Sequence, residues 1–464
     1  MAILSTFGAM TARGFGWVAK LATSAGLYSW GEGNAGRLGL GDAVNRSSPV
    51  QIGALSTWSK LAGGSNSSVA VKTDGTVWSW GANDQSQLGL GDLTNRSSPV
   101  QIGALTTWSK PYVNGWTAHV IKTDGTLWGW GWGDSGLVGV GNTTRYSSPV
   151  QVGALTTWAS VMGGPVAFYT KVAIKTDGTL WAWGLGTLSN GGSGLGGSDN
   201  PATTTSTLVS TPIGGPTTID RSSPVQIGAA TNWVAAASAF QHSLAITTSG
   251  ALYAWGSHTS GQLGVGTVNN NPTYVTPAPD VGSQGFCLGP NFNYYESQAT
   301  SVSDGVMAYD SNGANCSPTY VAWTTYYSNT LPWGYSSPVQ VGALTTWSKV
   351  AAGYVYSLAI KTDGTLWAWG ENSYGQLGTS NTTSYSSPVQ IGALTTWANV
   401  FCGYAHTVAV KTDGTLWVWG EGSYGQLGQG NTTGRSSPVQ VGTATTWLST
   451  GISTNENSTF AIRS

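Results

Sequence analysis

Short apolar runs, broken by turn residues, dominate this chain, and no stretch repeats its apolar positions at helical spacing. Between Ser386 and Gly420, Pro388 to Ile391 and Trp397 to Phe401 are short apolar-rich runs, and Thr407 to Lys411 is an alternating, β-branched one. Thr412-Asp413-Gly414-Thr415 follows, and Leu416 to Trp419 runs back. Asp-Gly tolerates positive φ, so the turn is expected to be a type I′ hairpin. That makes four short strands in one unit. The unit recurs with a period of about 50 residues. Ser-Ser-Pro-Val-Gln starts at Ser47, Ser97, Ser147, Ser222, Ser336, Ser386 and Ser436. A second element ends at Trp58, Trp108, Trp158, Trp233, Trp347, Trp397 and Trp447. A Trp-Gly element stands at Trp30, Trp80, Trp130, Trp183, Trp255, Trp369 and Trp419. Seven four-stranded antiparallel units predict an all-β, seven-bladed β-propeller. A solenoid would need distinct polar caps, and none is visible.

The first unit has Leu27-Tyr28-Ser29-Trp30-Gly31 but only a poor match to the strand that should precede it. Residues Ser458 to Ile462 match that missing strand, so the N- and C-terminal strands are expected to pair and shut the ring. Trp367 and Trp369 are two apart and share one strand face, as do Trp128/Trp130, Trp181/Trp183 and Trp417/Trp419. Wedge packing between neighbouring blades is the expected use of these pairs.

Composition narrows the function. Net charge is −1 and charged residues are 8%. No basic surplus exists to neutralise phosphate backbones, so no nucleic-acid partner is expected. With 24 Trp the chain is no disordered segment, and its 67 Gly do not fall at every third position as in collagen. No apolar run is long enough for a membrane span, and the N-terminus lacks the basic start and apolar core of a signal peptide. The three cysteines, Cys287, Cys316 and Cys402, show no metal spacing. Cys287 and Cys316 could be bridged or remain thiols, whereas Cys402 replaces an alanine of another unit and is expected to be buried. His242 and His406 share one place in their units and are expected to be structural. No phosphate loop, nucleophile elbow or paired carboxylate site appears, so no metal, cofactor or enzymatic activity is expected.

Two units exceed the period, with insertions at 185–221 and 267–334 in the same loop position of adjacent blades. Both are expected to protrude from one rim. The larger carries Phe286, Phe292, Tyr294, Tyr295, Tyr309, Tyr320, Trp323, Tyr326, Tyr327 and Trp333, a composition suited either to a recognition surface or to a small core of its own.

The unit resembles the regulator-of-chromosome-condensation repeat. The carrying residues are Cys402-Gly403-Tyr404-Ala405-His406-Thr407-Val408-Ala409-Val410, then Leu416-Trp417-Val418-Trp419-Gly420, then Tyr424-Gly425-Gln426-Leu427-Gly428. The last element recurs at Tyr374 to Gly378 and at Ser260 to Gly264. The resemblance covers roughly residues 27–464 apart from the two insertions and implies a seven-bladed propeller, which makes residues 25–464 the propeller domain. It does not imply light sensing, because the Trp and Arg of the photoreceptor motif Gly-Trp-Arg-His-Thr are absent from Gly403-Tyr404-Ala405-His406-Thr407. A second resemblance, at Gly8 to Trp17, is to the start of tailed-phage fibre proteins and makes residues 1–24 a docking arm with Arg13, Phe15 and Trp17 at its centre. Together these lead to a non-enzymatic component of a phage particle. The arm would meet other virion proteins, the insertion would meet a host surface glycan or protein, and several copies could assemble in the virion. The alternative is a soluble cytoplasmic propeller that binds a protein partner, of inhibitor or GTPase-exchange type. A third reading places a carbohydrate-active site at Asp304 or Asp310 of the insertion.

Overall fold

The computed structural model describes residues 25–54, 57–162, 170–185, 220–266 and 334–464. The candidate residues Arg13, Phe15 and Trp17, the ten aromatics from Phe286 to Trp333, and Cys287 and Cys316 lie outside the described residues, as do Asp304 and Asp310. The described strands form seven four-stranded antiparallel sheets, the blades of a β-propeller. In the blade that begins at Trp397 the strands are Trp397–Cys402, His406–Lys411, Leu416–Gly420 and Arg435–Gln440, running from the inside outward. The Ser-Ser-Pro-Val-Gln element is therefore an outermost strand in every blade. Proline is tolerated there because one side of an edge strand needs no ladder donor.

The ring closes between the chain ends. Gly26–Gly31 pairs antiparallel with Ser458–Arg463, from Gly26 opposite Arg463 to Gly31 opposite Ser458. One blade thus takes two strands from each end of the chain, in the order Arg46–Gln51, Gly26–Gly31, Ser458–Arg463, Trp447–Thr454.

The Asp-Gly hairpin differs from expectation. The Gly414 amide donates to Lys411 O at 3.0 Å, and Lys411 N donates to Thr415 O at 3.0 Å. Within that turn only Gly414 has positive φ, at +76°. The reversal is an ordinary turn followed by a left-handed glycine, a bulge hairpin rather than type I′. Asp413 stabilises it by accepting from both the Thr415 amide (2.9 Å) and the Thr415 hydroxyl (2.7 Å). The same turn ties blades together, because the Trp447 amide of the next blade donates to Gly414 O at 3.2 Å.

The paired tryptophans divide their work. Trp369 is fully buried, and its indole Nε1 donates to Gln262 O of the preceding blade at 2.9 Å. Trp30, Trp80, Trp130, Trp183 and Trp419 make the same bond to the blade before each. The Gly-Gln-Leu-Gly element explains itself here. Its Gln supplies that carbonyl, and its second Gly, at φ +72° in Gly264, lies flat on the indole, where a Cβ would sit 2.8 Å from Trp369 Nε1. Trp367 is only partly buried. Its face carries the Lys361 ammonium 3.6 Å from the ring centroid, and its Nε1 donates to Thr365 Oγ1. Lys72, Lys122, Lys175 and Lys411 repeat this contact over Trp78, Trp128, Trp181 and Trp417. Lys411→Ala is expected to remove about 1 kcal/mol of stability, read as a lower urea midpoint, with Lys411→Arg recovering most of it.

Candidate functional site

The innermost strands, Trp58–Gly63, Trp108–Asn114, Trp158–Met162, Trp233–Ser238, Trp347–Ala352, Trp397–Cys402 and Trp447–Thr454, surround a central cavity of about 410 Å³. Its wall is mainly aliphatic, with Leu61, Val113, Val161, Val350, Val400 and Ile452. The strands set up two unlike ends. One end carries the Asp-Gly hairpins. The other carries the turns that leave the innermost strands, together with the long loops between third and fourth strands. Leu185 and Asp220, and Gly266 and Gly334, bound the two insertions at that second end. Both insertions therefore leave their blades from the same end of the strands, the loop face.

At the loop face, the described turns follow directly on innermost strands that line the cavity. Three consecutive blades place aromatics there. Phe240 and Tyr354 have ring centroids 4.7 Å apart, and Tyr354 stacks on Tyr404 at 4.3 Å with an interplanar angle of 23°. The turn backbones are linked as well, with Tyr354 N donating to Tyr404 O at 3.4 Å and Tyr404 N to Glu456 O at 3.1 Å. Glycine makes the turns possible. Gly353 lies against the Tyr356 ring and Gly403 against the His406 imidazole, leaving no room for a Cβ at either position. Tyr404 remains 37% exposed, and Tyr374 and Tyr424 on neighbouring loops are 53% and 38% exposed. Burial and the neighbouring Tyr354 raise the Tyr404 phenol above its ordinary pKa.

The arc continues into a charged cluster. Arg37 is buried and donates to the Glu32 carboxylate at 2.7 Å. Burial pushes the Glu456 carboxyl up, opposed by the Arg37 charge. Part-exposed aromatic side chains on a rigid rim are the residue type that protein-binding hot spots favour, and Arg37, buried and paired with Glu32, braces the rim beside them.

The buried polar groups beneath this face are structural. His242 Nε2 lies 2.8 Å from Ser357 Oγ, His406 Nε2 lies 3.1 Å from Thr459 Oγ1, and His119 Nε2 lies 3.1 Å from Val138 O. Val138 O can only accept, so His119 carries its proton on Nε2. Desolvation lowers each of these imidazoles to about 3. Cys402 is a buried free thiol, and burial raises its pKa far above the usual value. Among the described residues no group of three or more His, Cys, Asp or Glu could hold a metal ion, and no helix is long and apolar enough to cross a membrane.

Comparison with known proteins matches the repeat itself. The model of the regulator of chromosome condensation (RCC1) repeat matches residues 24–71, 74–110, 124–165, 249–294, 363–410 and 413–460, more than half of the chain. The chain belongs to the RCC1 repeat family. A second model of the RCC1 repeat matches residues 58–87, 234–262, 347–376 and 397–426. Human WBSCR16 has the same fold, with a TM-score of 0.67 and 17% identity over 95% of this chain and 98% of that one. Prp20p from Saccharomyces cerevisiae, whose structure is described with its binding to Gsp1p and histones, has a TM-score of 0.67 and 16% identity over 95% of this chain and 92% of that one. A probable E3 ubiquitin-protein ligase, HERC6 of Homo sapiens, is 30% identical over 145 residues, which is 30% of this chain and 13% of that much longer protein.

The loop-face aromatics of this RCC1-repeat chain were missed by reading the sequence for a binding site. Tyr404 stands out there only as a departure from the Trp of a light-sensing motif. The signal that could have found them is the replacement of Ser65, Gly115 and Glu456, at the same place in other units, by large rings.

Proposed function

We propose that this RCC1-repeat propeller is a non-enzymatic binding protein whose loop face docks a protein partner. The observation that carries the reading is the stacked arc Phe240–Tyr354–Tyr404 beside Arg37 and Glu456, on the face from which both insertions leave their blades. Stacked tyrosines offer large amphipathic area with few torsions to freeze. Prp20p, of the same fold, binds Gsp1p and histones, which supports protein recognition as the use of such a ring. The particle-appendage reading rests on residues 1–24 and on the aromatics from Phe286 to Trp333, all outside the described residues, and the family match lends it no support. The protein-partner alternative is the better supported of the two.

A photo-crosslinking amino acid at Tyr404 is expected to capture a discrete protein in extracts of the source cell, and the same probe at Thr412 on the hairpin face is not. The double variant Tyr354→Ala/Tyr404→Ala is expected to weaken that partner by about 2 kcal/mol or more, roughly thirtyfold, with an unchanged melting temperature. No adduct at Tyr404, equal adducts at both positions, or full affinity in the double variant would reject the proposal.

A further inference from the structure

The opposite mouth of the channel has a different chemistry. The third residue of each innermost strand lies near the hairpin face, and three blades place lysine there: Lys60, Lys110 and Lys349. Lys60 and Lys110 sit on adjacent blades and line the cavity. Lys349 is three blades from each of them around the ring, exposed at the equivalent position across the mouth. Asn399 adds an amide at the same level, donating to Ser449 O at 2.8 Å.

These cations are not neutralised. Among the described residues lining the cavity there is no Asp or Glu. The ion pairs of the described residues, Arg37–Glu32, Arg46–Asp42 and Arg96–Asp92, involve none of the three lysines. Lys110 donates to Ala159 O at 2.7 Å, which leaves further ammonium protons to spare. Lys60 has no acceptor among the described residues. Desolvation lowers the pKa of Lys60 and Lys349, and the neighbouring Lys110 charge lowers Lys60 further. A chain with only 18 Lys and Arg in 464 residues has thus gathered three at one opening against an aliphatic wall. Like charges held together this way repel unless an anion joins them.

We propose that the hairpin-face mouth of the channel binds a small polyanion bearing phosphoryl groups, held between Lys60 and Lys110 and capped by Lys349. A single carboxylate would leave cations unpaired, whereas adjacent phosphoryl groups present several charges to ammonium groups that act as point charges. A cavity of about 410 Å³ is of small-ligand size. The site lies at the other end of the channel from the loop-face arc and stands independently of it.

The test is calorimetry and thermal melting of the full chain with inorganic tripolyphosphate at low salt. The wild type is expected to bind one equivalent and to melt higher when loaded. Lys60→Gln/Lys110→Gln is expected to lose at least thirtyfold in affinity and Lys349→Gln about tenfold, while the exposed surface variant Arg145→Gln binds as wild type. Unliganded melting of the lysine variants should be unchanged or higher, since repulsion is relieved, so loss of binding cannot be put down to misfolding. Absence of saturable binding to the wild type, or an equal loss in Arg145→Gln, would overturn the site. Tighter, lysine-dependent binding of a thymidine decanucleotide would overturn its assignment to a small molecule.

Discussion

Removal of residues 457–464 is expected to leave no soluble, folded ring. The strand Ser458–Arg463 is the seam of the propeller, hydrogen-bonded on one side to Gly26–Gly31 and on the other to Trp447–Thr454. Phe460, Ala461 and Ile462 are fully buried, and Phe460 packs its ring against Trp80. Thr459 also serves the neighbouring blade, with its hydroxyl beside His406 Nε2 and donating to Gln426 O. Burying two large apolar side chains contributes roughly 1.5–3 kcal/mol each, and each backbone hydrogen bond lost along Gly26–Gly31 and Trp447–Thr454 contributes about 0.5–1.5 kcal/mol more. Their sum reaches the whole stability of an ordinary domain, about 5–15 kcal/mol. The exposed edges would also template aggregation. Phe460→Ala removes the core contact but keeps the seam, so it should fold with a loss of about 3–5 kcal/mol. Expression, sedimentation and melting of both variants check this, and a monomeric truncated chain melting like the full one would refute the closure.

A steep loss of stability between pH 6.5 and pH 4 is the second large effect. His119, His242 and His406 are buried and neutral, held by desolvation at about 3. An unfolded histidine titrates near 6.5. Between those values the unfolded chain binds protons that the folded one refuses, so stability falls as pH falls. Three such groups give about 4 kcal/mol per pH unit at the steepest. Glu456 acts the other way, because its raised pKa lets the folded state take a proton early. The turn aspartates, whose pKa values are lowered chiefly by hydrogen bonds from the threonine two residues on, add their loss only at lower pH. Urea midpoints across this range should slope steeply. His406→Gln should remove about a third of the slope even though it lowers stability at neutral pH. A flat profile from pH 7 to pH 4.5 would show that these imidazoles are not buried neutral.

Much of the architecture was legible before any coordinates. Three markers at a common spacing determined the number of blades. The match of Ser458–Ile462 to an inner strand determined how the ring shuts, because strand pairing depends on local alternation that each segment carries in itself. Alternation also placed Trp367 and Trp369 on one face. It could not divide their roles, since the acceptor for Trp369, Gln262 O, belongs to another blade and is 107 residues away. The Asp413-Gly414 dipeptide marks the turn, but the reversal spans three residues between the Lys411–Thr415 pair with only Gly414 left-handed, a length that the dipeptide alone does not specify.

The sites are a different matter. Aromatic composition pointed to the insertion around Tyr294 and Trp323, where single residues cluster along the chain. Phe240, Tyr354 and Tyr404 are dispersed over blades, one to a turn, and read singly as repeat variation. Lys60, Lys110 and Lys349 are equally scattered, and each looks like an ordinary strand lysine. The sequence by itself determined everything that repeats, because periodicity is a local property that strands obey one unit at a time. Only the tertiary structure decided which non-repeating side chains meet, because closing seven blades around an axis brings equivalent positions of distant units to one mouth.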